Sequence, residues 1–255
     1  MRKVISQKLY WEKVAKSYDK LVGKKGDLSH EKIINPIVTR FLGDLKGKTV
    51  LDAGCGNGYW SMTLAKKAKK VVGIDFTEEL IKAAELRYSA PNLEFITRDL
   101  RKLNFPDNNF DIVLCNMALM DVEDLDKAIA EMARVLKVKG NLVISMIHPC
   151  FENPPNTLTL EDKKGRKIGR LVKHYFKTGI VKDFDLTWDN KYHYQHCHYT
   201  ISDYLNSFSK HNLFIEKVSK PNKAKILGKG YSHIPHFLIF KLRKINHISN
   251  KESRY

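Results

Sequence analysis

The 255-residue chain carries 45 Lys and Arg against 28 Asp and Glu, a formal charge of +17, with 43% hydrophobic and 29% charged residues. That composition suits a folded soluble protein rather than a disordered one, and the length suits one α/β domain of above-average size, or one domain with a small cap. The longest apolar stretch, FDIVLCNMALM, is interrupted by Asp and Asn, so no membrane insertion is expected. The first residues turn polar too early for a secretory signal. Cysteines at 55, 115, 150 and 197 form no CxxC pair, which argues against a disulfide framework or zinc ribbon and for a cytoplasmic protein with reduced thiols. Residues 1–150 hold 25 basic and 19 acidic residues, net +6; residues 151–255 hold 20 and 9, net +11. The excess reads as a dispersed, solubilising lysine surface, with nucleic acid, anionic membrane or an anionic substrate as alternatives.

Residues 1–46 predict amphipathic helices. Leu9, Trp11, Val14, Ala15 and Tyr18 recur at helical spacing. Gly23 and Gly26 break the pattern, Ser29 offers a cap for a second helix through Leu42, and Pro36 predicts a kink or split. From Lys48 strands and helices alternate over residues 47–150. KTVLDAG, VVGIDF, LEFITRD, FDIVLCNMA and NLVISMIH read as strands; WSMTLAKKA, TEELIKAAELRY (capped by Thr77) and EDLDKAIAEMARVLK read as helices. Leu125, Ile129, Met132 and Leu136 share one face of the last helix, and Gly140 follows its end. The alternation predicts a parallel, doubly wound sheet. Residues 151–199 break the rhythm and read as an inserted cap, whose Phe176, Phe184, Trp188, Tyr192 and Tyr194 require packing partners. Residues 200–245 add a helix, ISDYLNSFSKHN, and two strands; residues 246–255 read as a frayed tail.

The strongest local signal is VLDAGCGNGYW. Glycines between a strand and a helix let the chain curl and let a ligand approach backbone N–H groups. Asp75 closes the next strand, where a carboxylate suits a ribose diol, with a helix-start acid as its plainer reading. Asp99 ends the third strand, placed with Leu100 N–H to read an adenine edge; an exposed loop acid is the alternative. Tyr59 stands where a dinucleotide loop needs its third glycine, and no phosphate-cradling GxxxxGK[ST] occurs. A nucleoside cofactor without phosphates remains.

VLDAGCGNGYW, VVGIDF, ITRDL, FDIVLCNMALMDVEDL and RVLKVKGNLVISMIHPCF, in that order, resemble the class I S-adenosylmethionine-dependent methyltransferases of the broad "type 11" group. The resemblance spans residues 45–150 and continues more weakly to 240. It implies a doubly wound seven-stranded, Rossmann-like sheet with a last antiparallel strand, S-adenosyl-L-methionine as cofactor and S-adenosyl-L-homocysteine as product. It also implies that Asp52 and Gly54, Cys55, Gly56 and Gly58 lie against the methionine end, Asp75 and Phe76 against the ribose side, Asp99 and Leu100 against adenine, and Asn116 against the sulfonium. Trp11, Ala15, Tyr18 and Asp19 match the family's leading W-x-x-x-A-x-x-Y-D helix, whose aromatics close over the cofactor; core packing is the other reading of Trp11 and Tyr18.

The methyl acceptor should lie beyond the carboxyl ends of the strands. His148, ending the fifth strand before Pro149, is the leading candidate base, with a buried structural histidine as the alternative. His198 matches the family's histidine ahead of a T-[LI]-S-[DE]-Y helix start. Tyr192, Tyr194, His196 and His198 would share one strand face. His193, His196, Cys197 and His198 lack standard metal-ligand spacing, so no metal is expected. Asp121 reads first as the cap of the helix from Val122 and second as a group that orients a substrate, Cys150 as a structural thiol, and His30 as a surface histidine. The expected partner is a small-molecule acceptor methylated on O, N or C. RNA methylation, motivated by the basic carboxyl-terminal portion, and cofactor binding without catalysis are the alternatives; no feature fixes an oligomeric state.

Overall fold

A computed structural model describes residues 5–152, 156–188, 192–227 and 234–246; the tail expected to fray lies, from residue 247 on, outside the described residues. In chain order the helices are α1 (Gln7–Val22), α2 (Asn35–Leu42), α3 (Tyr59–Ala65), α4 (Glu78–Arg87), α5 (Leu125–Val135), α6 (Ile201–Lys210) and α7 (Ala224–Leu227). The strands are β1 (Thr49–Ala53), β2 (Lys70–Asp75), β3 (Leu93–Thr97), β4 (Phe110–Asn116), β5 (Leu136–Ile147), β6 (Thr157–Glu161), β7 (Lys167–Val172), β8 (Gly179–Trp188), β9 (Tyr192–His198), β10 (Leu213–Ser219) and β11 (Phe237–Lys244). Seven of them form one sheet in the order β10-β11-β5-β4-β1-β2-β3. β1 to β5 pair parallel, and β11 runs antiparallel to both β5 and β10. This is the doubly wound, Rossmann-like sheet.

The strands are buried on both faces, and alternate residues divide between two cores. Val50, Ile112, Leu114 and Val143 pack with Val38 and Phe41 of α2 and Trp60 and Leu64 of α3. Leu51, Val113 and Leu142 pack with Ile129 and Met132 of α5 and Tyr204 and Phe208 of α6. Because β1 pairs parallel with β2 on one side and β4 on the other, the carboxyl ends of all three lie along one edge of the sheet.

Several local expectations change. Leu9 is 46% exposed, and the buried stripe of α1 runs through Gln7, Tyr10, Val14, Ala15 and Val22. Ser29 makes no capping bond; Asp27 accepts the His30 N–H (2.9 Å), and a π-helical turn over His30–Ile34 leads into α2, whose first turn holds Pro36. His30 is buried, not superficial, its ring against Tyr59 and its Nδ1 2.9 Å from Asp27. Leu136 opens β5 instead of ending α5, and Gly140 lies inside that strand.

Residues 157–198 form two hairpins outside the main sheet, β6–β7 and β8–β9. Phe176, expected to pack, is 88% exposed. The side chains of Phe184, Trp188 and Tyr192 lie outside the described residues. The expected one-faced wall of β9 is buried on both sides: His196 and His198 on one, Gln195 and Cys197 on the other.

Gly58 feeds the chain into α3 at φ +78°, and an added Cβ would lie 2.7 Å from the Phe95 ring and 2.8 Å from the Ala84 methyl. Gly58→Ala should therefore destabilise the protein by about 2–4 kcal/mol, seen as a lower urea midpoint with an unchanged slope. An unshifted midpoint would show that the turn relaxes without cost.

Candidate active site

The turn after β1 shapes the site. Gly54 adopts φ +79°, and a Cβ there would stand 2.4 Å from the Ala118 methyl, so glycine is what allows this turn to pack on the loop after β4. The Gly54 and Cys55 N–H groups both donate to the Ile74 carbonyl at 2.8 Å, which holds the turn on β2. At the tip of β2, Asp75 accepts the Gly56 N–H through Oδ2 (3.0 Å) and the Thr77 N–H through Oδ1 (2.9 Å). One carboxylate thereby joins the glycine turn to the start of α4. Thr77 occupies the N-cap position, but its side chain makes no capping bond.

Helix α1 is fastened above this turn. Asp19 receives a bidentate pair of hydrogen bonds from Arg87 of α4 (2.6 and 2.7 Å). Asn57 Nδ2 donates to Asp19 Oδ1 and to the Gly23 carbonyl, both at 2.8 Å. Trp11 and Tyr18, edge-to-face at 5.1 Å, then face a cavity. Its floor is Gly54, Gly56, Asp75 and Phe76, one wall is Leu80 and Leu100, and the other is Asn116, Met117, Ala118, Asp121 and Val122. Met117 holds φ +57°, uncommon for a non-glycine residue, while its N–H donates to Ser145.

This arrangement has counterparts. Residues 51–144 match the family model described as "Methyltransferase domain". Demethylmenaquinone methyltransferase of Staphylococcus aureus is 34% identical over 152 residues, covering 58% of this chain and 60% of that protein. The chain thus spans about 60% of the length of the curated relatives it matches. A solved S-adenosylmethionine-dependent methyltransferase of Mesorhizobium loti superposes with a TM-score of 0.69 at 25% identity, over 82% of this chain and 96% of that one. A Listeria monocytogenes structure described as a candidate enzyme of the same kind gives 0.72 at 25% identity, over 83% and 97%. Residues 51–144 are a methyltransferase domain, set in the fold shared with these solved S-adenosylmethionine-dependent enzymes.

The donor set of the methyltransferase domain fits that cofactor, which bears a sulfonium charge and no phosphate. The described residues lining the cavity include Asp75 and Asp121 but no lysine or arginine. A phosphate group would find no cationic side chain there, whereas a cation finds carboxylates. Burial pushes Asp75 above the usual carboxylate range against the pull of its Thr77 and Gly56 hydrogen bonds. Burial pushes Asp121 well above that range, the Trp11 indole opposes the shift, and Asp75 adds to it. Behind the lining, Asp52 accepts the Ser61 hydroxyl at 2.6 Å, and burial raises it to about 7. Three buried carboxyls therefore await a positive partner.

Of the residues singled out in the sequence, Trp11, Tyr18, Gly54, Gly56, Asp75, Phe76, Leu100 and Asn116 line the cavity; Asp52, Cys55 and Gly58 are buried without lining it. Asp99 lines an adjoining cavity that shares Phe76, Leu100, Asp121 and Val122, and Arg101 occupies both of its carboxylate oxygens, the closest contact at 2.6 Å. Asn116 Oδ1 accepts the buried Ser145 hydroxyl. The two candidate bases do not line the cofactor cavity. His148 Nδ1 accepts the Cys150 N–H (3.3 Å), and burial lowers its pKa to about 4, leaving a neutral ring with its proton on Nε2. His198 Nε2 lies 2.7 Å from the Tyr175 carbonyl, and its ring lines a small separate cavity with His196, Cys197, Tyr199 and Met120.

Sequence reasoning put a helix cap ahead of a substrate-orienting role for Asp121. Asp124, not Asp121, caps α5 by accepting the Lys127 N–H, and Asp121 is turned inward, 6% exposed, with no hydrogen-bond partner for Oδ1. The available signal was a lone acid between Met120 and Val122, with a second cap candidate three residues later. Met117, Ala118, Thr77 and Leu80 carried no signal, since their place depends on loop conformation.

The raised Asp52 pKa has a defined sign. Its folded value of about 7 lies above the unfolded value of about 3.9, so its contribution is full at low pH and is lost as pH rises through 7. Asp52→Asn should gain on the parent chain between pH 4 and 7, reaching a relative stabilisation of about 2–4 kcal/mol by pH 8 in urea unfolding. A difference independent of pH would show that Asp52 titrates normally.

Proposed function

We propose that the protein transfers the methyl group of S-adenosylmethionine to a nucleophilic O, N or C atom of a small-molecule acceptor bound beside the loop following β4. The acid-walled, cation-free cavity beneath Trp11 and Tyr18 carries this reading. When bound, the cofactor supplies a methyl group already activated by positive sulfur. The chain's part is to hold the two reactants in line and exclude water. Asp75 would take the ribose hydroxyls, Phe76 and Leu100 would flank the adenine, and Asn116, steadied by Ser145, would face the sulfur. Asp99 would join them on the adenine side after exchanging part of its Arg101 contact.

Where the acceptor carries a proton, Asp121 is the best-placed group to receive it. It lines both adjoining cavities; burial favours its protonated form, and the positive sulfur of a bound cofactor would favour ionisation, leaving a carboxylate more basic than an exposed one. His198 serves instead in the wall of the small cavity that Met120 also lines, and His148 packs on Phe151. The S. aureus relative is named for demethylmenaquinone, which makes a quinone-type compound the first acceptor to assay.

Asp75→Ala should weaken S-adenosylmethionine binding at least about 100-fold by calorimetry, since it removes the hydroxyl acceptor and frees the Gly56 loop. Asp121→Asn should lower kcat by about 10²–10³-fold while leaving cofactor affinity within about threefold, and His148→Ala should lower kcat less than about tenfold. The opposite ranking would return the base to His148. Methyl-labelled cofactor incubated with fractionated cell extract should mark the metabolite fraction; label confined to RNA would replace the acceptor class.

A further inference from the structure

Among the described residues, six of the fourteen exposed large apolar side chains belong to one hairpin and the stretch just after it. In β6–β7, Leu158 lies directly opposite Leu171, and Leu160 opposite Gly169. Alternation puts Leu158, Leu160 and Leu171 on one face, and these three are 39–43% exposed. Ile168 near the turn is 62% exposed, Val172 at the strand end 40%, and Phe176 just beyond 88%. The other face is tied down at one end: Thr157 is buried, and Arg170 reaches Glu152 at 2.6 Å, while Lys223 bonds the other oxygen of Glu152 at 3.2 Å. Val172, paired with Thr157, and Ile168 alternate onto that face, so the hairpin is anchored through Thr157 and Arg170 and shows apolar side chains on both faces.

Charge completes the picture. Residues 157–177 hold seven Lys and Arg against two Asp and Glu, a net of +5 within 21 residues. Lys163, Lys164 and Arg166 stand exposed at the turn, Lys173 and Lys177 at the far end beside Phe176. Asp162 is consumed locally, accepting the Lys164 and Arg166 N–H groups and pairing with the Arg166 side chain. Apolar side chains ringed by flexible cations match one surface chemistry above others: a bilayer with anionic headgroups, where leucine and phenylalanine enter the acyl boundary and lysines lie among the phosphates. A second copy of the chain would bring the same positive charge into contact with itself, and a nucleic acid would leave the leucines exposed.

We propose that the β6–β7 hairpin with Phe176 docks the protein on the surface of an anionic phospholipid membrane, without spanning it. No described helix is long and apolar enough to cross a bilayer. The inference is independent of the proposed methyl transfer, because none of these residues lines the cofactor cavity.

Co-sedimentation of the full chain with vesicles tests it. Vesicles of phosphatidylglycerol and phosphatidylcholine should bind the protein at 50 mM salt at least about tenfold more tightly than phosphatidylcholine alone, and the difference should shrink at 500 mM. Ile168→Ser with Phe176→Ser should lower the partition coefficient about tenfold, and Lys163→Ser with Lys164→Ser several-fold, with circular dichroism and cofactor binding unchanged. Absence of binding to anionic vesicles, binding insensitive to the Ile168 and Phe176 changes, or a dimer in solution that those changes dissociate would each overturn the proposal. So would retention on RNA with no vesicle binding.

Discussion

The Asp75 carboxylate, shared between two backbone N–H groups, is the constraint on which the site rests. One oxygen holds Gly56 and the other holds Thr77, so the turn after β1 and the start of α4 are set by a single side chain at the tip of β2. A buried carboxylate is costly unless hydrogen bonded, and these bonds are what keep it tolerable. The same group then acts on its surroundings. Its charge adds to the upward shifts of Asp52 and Asp121, which makes the cavity a poor place for anions and a ready one for a cation.

Around that centre the protein separates its charges by distance. The chain as a whole is strongly basic, yet the described lining of the cavity has no basic side chain. Arginines near it are committed to other jobs: Arg87 clamps Asp19 and so holds α1 in place, and Arg101 clamps Asp99. The Asp19–Arg87 pair is partly shielded and bidentate, and Asn57 joins it to the glycine turn, so the lid and the floor of the cavity share one polar network. A movement of α1 that opens the cavity must loosen that network.

The insertion after β5 is where this chain adds to a widely used scaffold. Its second hairpin packs against α1: Gln195 of β9 donates to the Ile5 carbonyl just before that helix. Its first hairpin is fixed through Glu152 and faces solvent with leucines. Both hairpins lie outside the seven-stranded sheet.

The sequence by itself determined the alternation of strands and helices that builds a parallel sheet, and the glycine turn, while the late antiparallel strand came from the family resemblance and the strand order from the structure. The alternation and the turn depend on period-two and period-3.6 patterns and on glycine, which act over a few residues. The sequence also put Asp75, Gly54, Gly56 and Asn116 at strand ends, and strand ends converge in this topology whatever the loops do. Tertiary structure alone decided the rest. Asp121 looked like a helix cap because Asp and helix starts go together, but Asp124 takes that bond and leaves Asp121 facing the cavity. His148 and His198 are candidate bases by chain position, and the fold decides that each has one ring nitrogen engaged, by the Cys150 N–H and by the Tyr175 carbonyl, and that neither lines the cofactor cavity. Phe176 looked like core because large aromatics usually are buried, and the fold leaves it in solvent. In each case the local pattern allows two environments of nearly equal local cost, and only packing between segments distant in the chain selects one.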